Sequence, residues 1–352
     1  MVGLGLQRAV NEMSTLEGRL FVPRQRVFFR KVPGKVEYAA GVDGKKSAIT
    51  PSITPLVIIE NPETIEAILS GAAQPGVVGV ESGRRSGLYV NSSGNLIKIK
   101  GCRVGAAFDT EGPYTVGFTP DPTKPYGGKL LEPARWEMDI TAKICRILEG
   151  EGFAVPYQPI AVIGYGKKFA YHMPYESNDE QKSVLVGEEL AAGVMRAEDD
   201  TRLPELYGLQ VKSKSAFNEV ASLLGLMAGA QHRLTESRYD MGDDSSHAYN
   251  LFVFEKQGEV WIAMMDCDSA RLQPVPDKGK RIRRILDSLD LYVERIGVNG
   301  AEAPVEALNR FLERRDQFKG KFSEGFTEGY SGTTKWQPIP VELFNAAFHL
   351  PS

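Results

Sequence analysis

The stretch His247-Ala-Tyr-Asn-Leu-Phe-Val-Phe254, a turn at Lys256–Gly258, and Val260-Trp-Ile-Ala-Met-Met-Asp-Cys-Asp268 decide how this chain is read. Two apolar runs flank a glycine-containing turn, which is the pattern of a β-hairpin. The first run begins at an Asn and the second ends at an Asp. Folding the hairpin brings those ends together, so Asn250 and Asp266 can share one ligand. In an extended segment Asp268 falls on the same side as Asp266 and is a further candidate. An amide oxygen beside carboxylates is a hard-oxygen set suited to Mg²⁺. That ion accepts few protein ligands and keeps phosphates and waters as the rest. A surface hairpin with polar ends carries the same pattern, so its weight depends on its surroundings.

Working outward, Asn95-Leu-Ile-Lys-Ile-Lys-Gly101 alternates lysine with isoleucine. On a strand this sets Lys98 and Lys100 on one face and Ile97 and Ile99 on the other. An edge strand bearing solvated lysines would read the same way. Helical periodicity begins after Pro133. Trp136, Ile140, Ile144, Ile147 and Leu148 recur at helical spacing, with Pro133 in the first turn and Gly150 as the stop. Glu137 borders that apolar stripe, while Asp139 and Lys143 point outward. Before the lysine strand lies Gly79-Val-Glu-Ser-Gly83-Arg-Arg-Ser-Gly87. Backbone N–H groups around Gly83, with Arg84 and Arg85 beside them, suit a phosphate. Arg103 and the Gly127-Gly128 turn are further phosphate candidates. The remaining elements are strands at Leu56–Glu60, Leu88–Val90, Ile160–Gly164 and Phe169–Met173. A buried helix carries Phe217, Val220, Leu224 and Met227. Amphipathic helices follow over 282–296 and from Val305.

In this order the chain resembles the protein-kinase-like superfamily. There a strand lysine holds the α/β-phosphates and pairs with a glutamate of the next helix. A catalytic loop ends in a metal-binding Asn, and an Asp follows the hairpin. The Lys100-Gly101 pair and Gly150-Glu-Gly-Phe-Ala-Val-Pro156 are similar to selenoprotein O-like proteins. His247-x-x-Asn250 is similar to the D-x-H-x-x-N of HipA-type kinases. The resemblance implies an α+β, bilobal protein-kinase-like fold with the nucleotide between the lobes. Residues 1–75 would be an N-terminal extension, 76–175 a strand-rich N-lobe and 176–352 a helical C-lobe, with the hinge near 174–180. It implies ATP and Mg²⁺ as cofactors and transfer of phosphate, or of AMP as in selenoprotein O-like proteins, to a hydroxyl acceptor. The implied catalytic set is Lys100, Glu137, Asp244, Asn250 and Asp266. Lys98, Lys100, Gly83, Arg84 and Arg103 would hold the nucleotide, and Asn250, Asp266 and Asp268 the metal. One position departs: where the HipA-type pattern has its catalytic Asp, this chain has Ser245, with Asp244 beside it. A non-catalytic ATP-binding module therefore stays open. So does a covalent nucleotidyltransferase, because Lys98-Ile-Lys-Gly-Cys-Arg103 resembles the K-x-D-G-x-R motif with Lys98 as nucleophile. Lys100 stands where that motif has its Asp.

Composition limits the alternatives. The chain has 352 residues, 42% hydrophobic and 25% charged, enough to bury the core of about two domains. A net charge of −3 gives no global field for nucleic acid or anionic lipid. Three scattered cysteines fit neither a disulfide scaffold nor a structural zinc site. The N-terminus lacks a secretory h-region, and the longest uncharged apolar stretch, near Ser222–Ala230, is too short to span a bilayer. A cytoplasmic protein without membrane or nucleic-acid partners is expected.

Overall fold

A computed structural model describes residues 16, 20–21, 26–31, 35–39, 56–59, 77–82, 86–91, 93–102, 114–116, 129–173, 182–241, 248–267, 270, 287–288 and 305–350. The protein is α+β and divides into two compact units. Leaving the N-terminal stretch aside, the first takes in Arg24–Ala142 and Tyr157–Ala197. The second takes in Lys143–Pro156 and Glu198–Ser352. The first unit is strand-rich and the second more helical, as expected from the sequence.

The first unit is built on one mostly antiparallel sheet. Its strands are β1 (Arg26–Lys31), β2 (Lys35–Ala39), β3 (Leu56–Ile59), β4 (Val77–Ser82), β5 (Ser86–Val90), β6 (Leu96–Lys100), β7 (Tyr114–Val116), β8 (Tyr157–Met173) and β9 (Lys182–Ala197). Their order is β2-β8-β9-β6-β5-β4-β1-β3, with β7 parallel to β8. The lysine strand β6 is therefore internal, bonded to β5 and β9. Lys100 lies opposite Ser86 on one side and Gly193 on the other. All five β6 residues are buried, which excludes the exposed edge-strand reading.

Two expected strands, Ile160–Gly164 and Phe169–Met173, are parts of the single strand β8. Its register shifts between Gly164 and Lys168 explain the apparent gap. β9 was not expected. Residues 174–181, where the sequence sets the hinge, lie outside the described residues. Beyond them β9 still pairs in the first sheet.

Helix α1 (Leu131–Gly150) starts earlier than the periodicity suggests. It ends at Gly150, the stop that the sequence suggests, on a six-residue Schellman closure. Gly152 sits at φ +87°, its N–H reaches the Glu149 carbonyl at 3.0 Å, and the Phe153 N–H reaches that of Leu148 at 3.0 Å.

The second unit is organised on α2 (Lys214–Glu236), α3 (Val305–Ser331) and α4 (Val341–Ala347). Ser213 caps α2, its hydroxyl accepting from the Ala216 N–H at 3.4 Å. A small sheet runs β10 (Thr201–Arg202), β12 (Leu251–Lys256), β13 (Glu259–Met264) and β14 (Ile339–Pro340), and β11 (Gln210–Val211) pairs with β15 (Phe348–His349). The predicted hairpin is β12–β13, closed by Gln257 (φ +57°) and Gly258 (φ +80°) as the two-residue turn a tight hairpin demands. The expected helix over 282–296 lies outside the described residues except at 287–288. Among the described residues no helix is long and apolar enough to cross a membrane, and all three cysteines are free and buried.

Candidate functional site

Each unit carries one half of the expected chemistry, and each half is described by itself. In the first unit, β6 delivers Lys98 and Lys100 to the same face, and α1 lies over it. Gly193, opposite Lys100, permits the approach: a Cβ there would stand 2.8 Å from the Met138 Cε of α1. The helix that seats Met138 at this point also brings in its neighbour, Glu137. The Lys100 Nζ lies 2.6 Å from Glu137 Oε1, with Lys100 6% and Glu137 2% exposed. Glu137 is thus not at the border of the apolar stripe. The buried face of α1 runs through Ala134, Glu137, Met138, Thr141, Ile144 and Leu148, and the glutamate is central to it.

A buried carboxylate is costly unless cations and hydrogen bonds compensate it. Here a second cation does part of this. The Lys129 Nζ contacts Glu137 Oε2, and Lys129 is itself 2% exposed. Lys98 is buried too. It donates to the Tyr157 hydroxyl at 3.0 Å and sits 4.7 Å from the centre of that ring. Tyr157 and Lys129 were not singled out in the sequence. Tyr157 opens a strand whose register the bulges obscure, and Lys129 follows Gly127-Gly128 in what reads as a plain turn.

In the second unit, Asn250 directly precedes β12 and Asp266 follows β13 by one residue, so both stand at the open end of the hairpin. The Met265 N–H donates to the Asn250 carbonyl at 2.9 Å, and Leu251 is paired with Met264. That bond closes the ladder at Asn250 and Met265, and Asp266 is the next residue along the chain. Asp266 adopts φ +70°, the left-handed region that a non-glycine residue enters at a cost. No hairpin turn requires it there. The turn Gln257–Gly258 is at the far end of the strands, so the strain belongs to the loop that presents the carboxylate.

Three side chains fix this geometry. The Arg202 Nη1 donates to the Tyr249 carbonyl at 3.0 Å, with its guanidinium 4.1 Å from the Tyr249 ring centre and 4.9 Å from that of Phe252. The Ser288 hydroxyl accepts from the Ala248 N–H at 2.7 Å. Both hold the 3₁₀ turn Ala248–Asn250 that delivers the Asn. On the other strand, the amide of Gln231 on α2 donates to the Ile262 carbonyl at 2.5 Å and accepts from the Met264 N–H at 3.2 Å. None of the three carries a motif. Each acts on backbone from a distant element, a relation the sequence does not display.

The donor set of amide oxygen and carboxylate fits a Mg²⁺ that keeps phosphate and water ligands. Among the described residues, no group of three or more His, Cys, Asp or Glu gathers as a site rich in protein ligands. Gly83, Arg84, Arg103, Asp244, Ser245, His247 and Asp268 lie outside the described residues. A strand lysine paired with a helix glutamate, followed by an Asn-led hairpin and an Asp, is an arrangement consistent with a protein-kinase-like fold.

No protein-family model matches the chain, and no curated protein matches it. Among solved structures it is similar to the Rio2 kinase of Chaetomium thermophilum, determined as an ADP/Mg²⁺-phosphoaspartate complex. The identity is 12% and the TM-score 0.31, over 85% of this chain and 77% of that one. A likeness this loose assigns neither family nor activity.

Proposed function

We propose that this protein is an ATP- and Mg²⁺-dependent transferase of the kinase-like type, moving phosphate or AMP to a hydroxyl acceptor. The observation that carries the reading is the buried Lys100–Glu137 pair, formed between a central strand and the helix packed on it. Replacing such a pair by apolar residues of similar volume is often neutral or stabilising. A charged pair kept in the core therefore points to chemistry rather than to stability. Glu137 orients the Lys100 ammonium, and Lys100 binds the α/β-phosphates of ATP. Asn250 and Asp266 hold Mg²⁺, which, when bound, neutralises phosphate charge. Lys98, with Arg84, Arg103 and the backbone at Gly83, completes the nucleotide contacts, and Asp268 adds to the metal ligands. Asp244 stands in for the base that would accept the acceptor proton.

Ser245, at the usual position of that base, favours a second reading: an ATP-binding module without transfer. One experiment separates these. The protein is incubated with ATP and Mg²⁺ and its intact mass is measured, alone and with generic protein acceptors. A gain of phosphate or AMP that disappears in Lys100→Met and Asp266→Ala supports transfer. ATP binding without any gain supports the module, and absence of binding refutes both. An AMP adduct mapped to Lys98 would instead establish the covalent nucleotidyltransferase.

A further inference from the structure

We propose that Lys129 is a positioning residue of the nucleotide site, holding Glu137 in place while Lys100 engages phosphate. The inference rests on the ATP reading above. Its observation is that the two oxygens of one buried carboxylate are divided between two ammonium groups. Oε1 faces Lys100 at 2.6 Å, and Oε2 faces Lys129.

The three residues come from three different pieces of backbone. Lys100 ends β6 and Glu137 lies in the second turn of α1. Lys129 precedes the helix and is tied to the sheet. Its carbonyl accepts from the Ala191 N–H at 2.8 Å, and the next residue, Leu130, bridges to Leu190 on β9. The Leu130 carbonyl then accepts from the Ala134 N–H at 2.9 Å, so α1 starts directly from this anchored point. Gly101 lets the Lys129 segment pack against the end of β6. It sits at φ +92°, and a Cβ there would lie 2.6 Å from the Ala191 carbonyl oxygen and 2.7 Å from Lys129 Cβ. The cation on Oε2 is therefore fixed to the sheet rather than carried by the helix.

This placement has a consequence for binding. When the Lys100 ammonium turns toward a phosphate, its share in neutralising Glu137 falls. A carboxylate served by that lysine alone would follow it or lose its compensation, and the buried charge would become costly. With Lys129 on the second oxygen, Glu137 stays compensated and aligned whether or not the nucleotide is present. Helix α1 then has no electrostatic reason to swing away from the sheet, and the Lys100–Glu137 pair is assembled before ATP arrives.

The test is a double-mutant cycle on the full chain, read by binding of Mg²⁺ with a non-hydrolysable ATP analogue and by melting temperature. Lys129→Met is expected to weaken binding about tenfold, because the buried carboxylate that orients Lys100 loses one of its two cations. Lys129→Arg, which keeps the cation, should stay within about threefold of wild type. In a Glu137→Gln background, Lys129→Met should change affinity by less than about twofold, since a positioning residue acts only through the group it positions. Wild-type affinity in Lys129→Met overturns the proposal. So does an equal loss in both backgrounds, which would mean that Lys129 touches the nucleotide itself or serves only the fold. If Lys129→Met does not fold, the double variant Lys129→Met/Glu137→Gln decides. It must fold, because the uncompensated carboxylate has gone with the cation, and a double variant that also fails overturns the proposal. If the wild-type protein binds no nucleotide, the ATP reading fails on its own. The melting temperatures then still test the clamp, and strictly additive effects of Lys129→Met and Glu137→Gln would refute it.

Discussion

Two regions of this protein bring distant backbone together in opposite ways. In the strand-rich unit, α1 meets the sheet through a buried cluster of charges: Lys100, Lys129 and Glu137. In the helical unit, α2 meets α3 through the absence of side chains. Gly225 and Gly229 of α2 face the carbonyls of Phe322 and Phe326, and Gly325 and Gly329 of α3 face those of Ser222 and Leu226. A Cβ at any of the four would run into backbone. The contact positions advance in the same direction along both helices, so the pair is parallel. Glycine inside a helix costs about 1 kcal/mol in propensity. Four such positions are tolerated because close packing over two helices compensates. The difference teaches what each contact is for. A steric fit of backbone on backbone stabilises and has no other use, whereas buried charge stabilises poorly and is retained where it can act on a ligand.

The comparison breaks most visibly at the glycines. Gly229→Val places a branched side chain against the Phe326 carbonyl and should cost more than about 4 kcal/mol, the range reserved for gross core damage. Urea unfolding followed by circular dichroism checks it, and a cost under about 1 kcal/mol would show that the helices can separate freely. Glu137→Ala comes next. It leaves two buried ammonium groups without their shared carboxylate, and breaking a buried pair by removing one partner costs about 3–5 kcal/mol. The same denaturation curve measures it, and a neutral outcome would mean that the charges reach water.

Asp266 separates stability from function. Its φ of +70° favours glycine, so Asp266→Gly should be as stable as wild type or gain up to about 1 kcal/mol. Mg²⁺-dependent nucleotide binding should disappear in the same variant. Asp266→Ala loses binding too but keeps the strain, so it should melt below Asp266→Gly. An equal melting temperature for the two would remove the argument from backbone strain.

The smallest expected effect comes from Cys145, two turns beyond Glu137 on α1. There burial acts on a group with no need to ionise. Burial first, and the Glu149 carboxylate second, push the thiol up to about 12. Because the folded pKa is raised, this stabilising contribution is complete below about 9, the unfolded value, and is lost as pH rises toward 12. Stability measured from pH 8 to 11 should fall less steeply in Cys145→Ala than in wild type. Identical slopes would count against the buried thiol as a source of the alkaline loss.

The sequence carried the local half of this picture. The hairpin, its turn and the placing of Asn250 and Asp266 at its open end follow from alternation and one Gly. The lysine strand follows from period-two spacing, while its pairing with Glu137 came from the kinase-like resemblance, and helical spacing read Glu137 one step too far toward solvent. What sequence could not show were relations between distant segments. The stretch Leu190–Met195 of β9 holds Ala191, Ala192 and Gly193 and is buried on both faces, so no alternation marks it. Lys129 looks like a loop cation until Ala191 and Gly101 place it. Arg202, Gln231 and Ser288 reach backbone far away in the chain. The paired Gly-x-x-x-Gly spacings of α2 and α3 were visible, yet each alone reads as a weak helix.

The parallel docking of α2 on α3 also bears on how the chain reaches its native state. Gly225 meets Phe322 across about a hundred intervening residues, so this helix pair is non-local, unlike the β4–β5–β6 meander whose neighbours follow one another. Closing so long a loop must be paid in entropy before the contact returns anything, which slows folding beyond what helix content suggests. Until α2 arrives, α3 would present the ladder Phe318, Phe322, Phe326 and Tyr330, whose successive ring centres are 6.0, 6.1 and 6.2 Å apart. During refolding, that aromatic stripe is the surface on which nascent chains would first adhere to one another.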